Sequence, residues 1–68
     1  MVTYPFYAEV DALMGQNVEI LADRQYEGKV IAMNKMFAKL GVEQNTKTGE
    51  WVKTDLVWLD EILNIGAI

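Results

Sequence analysis

The sequence predicts a small, mainly β domain led by one N-terminal helix. Three observations predict it: a helical stripe confined to residues 4–14, apolar–polar alternation in several short later segments, and turn residues between those segments. Residues 1–68 read as one domain, with the helix over about 4–14 and the strands over about 16–68, and no linker, repeat or low-complexity tract interrupts them.

The helix comes first. Thr3 can cap it, Pro5 suits its first turn, and Phe6, Val10, Leu13 and Met14 recur at helical spacing, with Gly15 just past the end. Tyr4, Phe6 and Tyr7 staple this helix onto the rest of the fold or project as a protein-binding patch. "NVEILA" then alternates Val18 and Ile20 with Asn17 and Glu19, and "ADRQ" supplies turn chemistry ahead of "YEGKVIA", which makes a hairpin. "NTKTGE" places another turn before "WVKTDLVWL", where Trp51, Lys53, Asp55, Val57 and Leu59 alternate with Val52, Thr54, Leu56 and Trp58. Both faces of that strand carry apolar groups. The acidic turn "DE" precedes a final strand in "ILNIGAI".

Between these elements "EGKVIAMNKMFAKLGVEQ" reads with two periods. As a helix, Met33, Phe37 and Leu40 form a stripe thickened by Met36 and ended by Gly41. As strands, Val30, Ala32, Met36, Ala38, Leu40 and Val42 face a core from either side of a bend near Asn34-Lys35. The first period gives an α+β fold with a second helix at about 30–40; the second gives a five-stranded antiparallel small barrel. Local propensity leans slightly to the helix, and tertiary context overrides it.

Composition sets the function classes. A 68-residue chain needs a staple beyond its own core, yet it has no cysteine for disulfides and no histidine for the usual zinc site. With 51% hydrophobic residues, burial against another subunit is the expected staple. No apolar run reaches the roughly 20 residues of a membrane span, and there is no signal-peptide pattern at the start, so a soluble, cytoplasmic protein without cofactors is expected.

The net charge of −4 argues against general nucleic-acid affinity, but the charge is uneven. All six bases, Arg24, Lys29, Lys35, Lys39, Lys47 and Lys53, lie in the middle of the chain against only Glu27, Glu43 and Glu50, a local excess of three. The flanks hold only acids. Such a middle forms either a mixed solvated surface or a basic face for phosphates.

Catalysis is not expected. Serine, cysteine and histidine are all missing, so no ordinary nucleophile-base pair can be built. Asp60-Glu61 and Asp55 read as a solvated acidic turn and a strand residue rather than as a catalytic or magnesium pair, because adjacent strand residues point to opposite faces.

"LMGQNVEILADRQYEGKVIAMNKMF" resembles the opening of an Sm-like protein: a helix ending in glycine, then alternating apolar residues, an aspartate, an aromatic residue, a second glycine and a further apolar residue, carried here by Gly15, Val18, Ile20, Asp23, Tyr26, Gly28 and Val30. "ILNIGAI" is similar to the second Sm motif, in which Gly66 and Ile68 match. The resemblance covers nearly the whole chain. It implies a strongly bent five-stranded barrel in which Gly28 lets the second strand bend and Gly66 belongs to the closing strand. It also implies a homo-oligomeric ring of about five to seven subunits, closed by pairing of the fourth strand with the next subunit's fifth. The apolar candidates for that contact are Trp51, Val57, Trp58, Leu63 and Ile65, although Trp51 and Trp58 also suit a core.

Sm-like rings commonly bind single-stranded RNA at the loop between the second and third strands. On that resemblance Asn34 orients the loop, Met36 or Phe37 offers an apolar platform, and Lys35 and Lys39, joined by Lys53, meet phosphate. This sequence departs from the family where bases are read: the second asparagine position holds Ala38, and the arginine position of the second motif holds Ile65. An RNA-binding or RNA-chaperone ring and an acidic protein-interaction module that touches no RNA therefore both stand.

Overall fold

Val18 and Ile20 alternate with polar or exposed neighbours, and this period of two is what lays Asn17–Leu21 down as β1. In the computed structural model, which describes residues 6–68, β1 is preceded by a short helix α1, Tyr7–Ala12. It is followed by β2 (Gln25–Met33), β3 (Phe37–Gln44), β4 (Trp51–Trp58), a 3-10 turn at Leu59–Glu61, and β5 (Asn64–Ala67). The strands form one sheet in the order β4-β3-β2-β1-β5, and every neighbouring pair is antiparallel. β4 and β5 are its two edges and do not pair with each other, so the sheet is open rather than a closed barrel.

The stretch with two periods is extended. β2 runs to Met33 and β3 begins at Phe37, which removes the second helix at 30–40. Pairing decides it: Val30 lies opposite Leu40 and Met33 opposite Ala38, so long-range ladder bonds outweigh a slight helical preference. Of the six residues expected to face the core, Val30, Ala38 and Leu40 are fully buried, whereas Ala32, Met36 and Val42 are exposed. A bulge between Val30 and Ala32 turns Met33 inward in place of Ala32. Met36 falls in the turn, and a second irregularity between Gly41 and Glu43 turns Val42 outward.

One face of each strand and the inner side of α1 converge on a single core. Val10, Val18, Ile20, Val30, Leu40, Val57 and Leu59 are almost completely buried there, and Phe6, Tyr7, Leu13, Met33 and Ile65 pack around them. Each such aliphatic side chain contributes about 1.5–3 kcal/mol over leaving it in water, the largest favourable term in a chain this small. The α1 stripe is partly as expected: Val10 is buried, but Met14 lies past the helix and is exposed. Gly15 takes φ +82°, a left-handed conformation that favours glycine. Thr3, Tyr4 and Pro5 lie outside the described residues.

Where β2 crosses β3, two glycines allow the approach. A Cβ on Gly28 would stand 2.7 Å from the Gly41 carbonyl oxygen and 3.2 Å from the Leu40 Cβ, so the two strands approach there more closely than a side chain would allow.

Candidate functional site

The β2–β3 turn holds the expected RNA-facing residues, and its shape comes from Asn34. The Asn34 side-chain Oδ1 accepts hydrogen bonds from the backbone N–H of Met36 at 2.7 Å and of Phe37 at 2.9 Å, while the Asn34 N–H donates to the Phe37 carbonyl at 2.9 Å. This is an Asx turn, in which the short side chain replaces a backbone partner. Its oxygen is therefore spent on the chain itself, and only the amide NH2 of Asn34 remains to meet a ligand.

Phe37 is spent in a similar way. Its ring meets Trp58 edge to face, with centroids 5.5 Å apart and planes at 84°, and the two residues are direct cross-strand partners. The contact engages one ring edge and one ring face, so Phe37 is a half-buried member of a pair rather than a free-standing platform. Met36 is half exposed at the tip, with Lys35 and Lys39 exposed beside it. Lys53 does not join them: it sits opposite Glu43, six residues further along β3 from Phe37, or about 20 Å away at strand rise. Ala38 and Val57, paired across β3 and β4, are core residues at 0% and 1% exposure.

The remaining expected interface residues separate. Val57 faces the core and offers no surface, because its place in the β4 alternation is the inner one. Ile65 is half-buried against the same core. Trp51 folds over Gly41, Trp58 is 44% exposed, and Leu63 is 69% exposed. Along β4 the outer apolar residues Val52 and Leu56 are also exposed, as is Leu21 on β1. The β4 edge thus carries apolar side chains in solvent, and exposed Leu63 lies just before the β5 edge.

A second feature lies on the outer face near the other edge. Glu19, Leu21, Gln25, Asn64, Ile65 and Gly66 line a hollow of about 220 Å³. Gly66 sits opposite Glu19, and Asn64 opposite Leu21. Gln25 Nε2 donates to Glu19 Oε2 at 3.3 Å, and the Ile65 N–H donates to Asn64 Oδ1 at 3.0 Å. Gly66 has neither a positive φ nor a neighbour within 4 Å of where a Cβ would stand. Nothing in the sequence marks Glu19, Leu21, Gln25 or Asn64 as a group; only the register brings them around Gly66.

The β1–β2 turn carries the one perturbed ionisable group among the described residues. The Tyr26 hydroxyl donates to Asp23 Oδ1 at 2.9 Å, and this bond to a carboxylate, followed by desolvation, raises the phenol above its ordinary range. Arg24 stacks over the Tyr26 ring at 4.2 Å and reaches Asp55 at 3.7 Å, tying the turn to β4. Among the described residues no group of three or more acidic, His or Cys side chains could hold a metal ion, and no helix is long and apolar enough to cross a membrane.

Comparison with family profiles, with curated proteins and with solved structures gives no hit for this chain. The site is therefore read from its own chemistry. That chemistry is two open strand edges with apolar residues, one small basic tip, and one hollow with an acidic rim.

Proposed function

We propose that the chain is an Sm-like module that assembles with copies of itself, edge to edge through β4 and β5, and serves as a protein-interaction unit rather than a reader of RNA bases. The observation that carries this reading is the pair of unpaired edges, β4 bearing exposed Val52, Leu56 and Trp58 and β5 preceded by exposed Leu63. An open edge with apolar side chains is a template for another strand, and a closed ring is the arrangement that hides both edges of every copy. A neighbour on each edge would also complete the barrel that the isolated sheet leaves open.

Base reading is disfavoured by the turn chemistry. The Asn34 oxygen is committed to two backbone amides, Ala38 is in the core, and Ile65 stands where the family carries arginine. Light scattering at low protein concentration tests the assembly: a mass of about five to seven subunits is expected, and a clean monomer rejects it. Trp58→Glu, at a 44% exposed position, should leave a folded chain of lower mass.

A second reading keeps RNA. Lys35 and Lys39 flank the half-exposed Met36 at one tip, so a ring would repeat that basic tip around one face. A salt-dependent mobility shift of labelled oligo-U or oligo-A would establish it; absence of a shift at low salt, with the oligomer intact, would remove it.

A further inference from the structure

We infer that the hollow over Gly66 seats the Leu56 side chain of a second copy, with that copy's Lys39 directed at Glu19. The inference rests on the self-assembly reading and adds the contact that would hold it. It begins from a glycine that the single chain does not require. Gly66 lies within β5, where glycine weakens a strand, yet its φ is not positive and a Cβ there would meet nothing. Gly28 and Gly41 differ in this respect, since backbone or ring atoms occupy the space beside them. The space that Gly66 leaves empty opens into the 220 Å³ hollow. A cavity of about 150 Å³ holds a benzene ring, so an aliphatic side chain fits with room to spare.

The walls define the occupant. Leu21, 48% exposed, supplies an apolar side, and Glu19 is the charged residue of the rim, with Glu27 its cross-strand neighbour. The hollow therefore suits an apolar side chain with a cation close by. On β4, Leu56 is 50% exposed and its direct cross-strand partner is Lys39, so the two project from the same face as neighbours. The other outward residues fit less well: Trp58 is already engaged with Phe37, and Val52 falls at a break in the β3–β4 register, with no cross-strand cation paired to it. Leu56 and Gly66 sit on opposite edges of one sheet. Each copy can thus donate a leucine at one edge and receive one at the other, a head-to-tail contact that repeats around a closed assembly.

Three variants of the full chain test this by light scattering over a dilution series, with far-ultraviolet circular dichroism to verify folding. Gly66→Leu fills the hollow with its own side chain and is expected to weaken association at least tenfold while the strand spectrum is kept. Glu19→Lys, an exposed substitution, is expected to weaken it similarly, and Glu19→Lys combined with Lys39→Glu to restore most of it. Because the charge swap touches no core residue, it decides the matter even if Gly66→Leu fails to fold. An oligomer whose mass and dilution profile are unchanged by Glu19→Lys overturns this contact and leaves the assembly reading standing. A wild-type chain that is monomeric overturns both.

Discussion

The indole of Trp51 lies directly over Gly41, its ring carbons 2.5 Å from where a Cβ on that glycine would stand. The two are not register partners; Trp51 pairs with Gln44, and the strand irregularities beyond Gly41 swing the ring back over it. Gly41→Ala must push the ring away, and overpacking of this kind costs about 1–3 kcal/mol. Urea denaturation should show that loss, and in a Trp58→Phe background the emission of Trp51 should shift to the red. Unchanged emission and stability would place the indole elsewhere.

Gly28 and Gly66 should respond in opposite directions to alanine. At Gly28 the new Cβ meets the backbone oxygen of Gly41, which cannot rotate away, so Gly28→Ala should destabilise by more than about 1 kcal/mol. At Gly66 the Cβ meets nothing within one copy, and in a dissociated chain Gly66→Ala should be neutral or stabilising by up to about 1 kcal/mol through the unfolded state. Thermal unfolding of the two variants side by side checks the order.

Core and surface separate along β4 and the segment after it. Leu59→Ala removes a fully buried side chain and should cost about 2–5 kcal/mol. Leu63→Ala, at a 69% exposed position, should change the unfolding of an isolated chain by no more than about 0.5 kcal/mol. A large loss for Leu63 in a dissociated chain would mean that it packs within one copy.

Asn34→Ala deletes the acceptor for two backbone amides in the β2–β3 turn and should lower stability by about 1 kcal/mol. Asn34→Asp keeps the acceptor and should recover most of it. Equal loss in both variants would argue against the Asx turn.

Tyr26 makes stability sensitive to alkali. Its phenol holds its proton more tightly folded than unfolded, chiefly through the bond to Asp23, so the folded state binds more protons in that range. The contribution is complete below the unfolded value of about 10 and is lost as pH rises through the higher folded value. Wild type should therefore lose stability above about pH 10 more steeply than Tyr26→Phe, measured by denaturant titration at stepped pH.

Much of the fold is legible in short-range pattern. Val18 and Ile20 announce β1, the polar "ADRQ" turn announces the first hairpin, and Val10 marks the buried side of α1. Residues 30–40 are not legible in this way, because their apolar spacing satisfies two periods and the ladder to Ala38 and Leu40 is what selects one. The site is less legible still. Asn34, Lys35 and Met36 do share a turn, but the use of the Asn34 oxygen and the Phe37–Trp58 contact depend on turn geometry and on cross-strand register.

By itself the sequence determined the class and its limits: a short helix, then alternating strands, in an acidic chain with no serine, cysteine or histidine. Tertiary structure alone decided the rest. It turned Val57 inward and Leu56 outward, bulged β2 after Val30, set Trp51 over Gly41, and left Gly66 facing an empty hollow. The reason is that alternation is a local property of the chain, while a bulge or a one-residue change of register is set by distant strands and reverses which side chains reach the core.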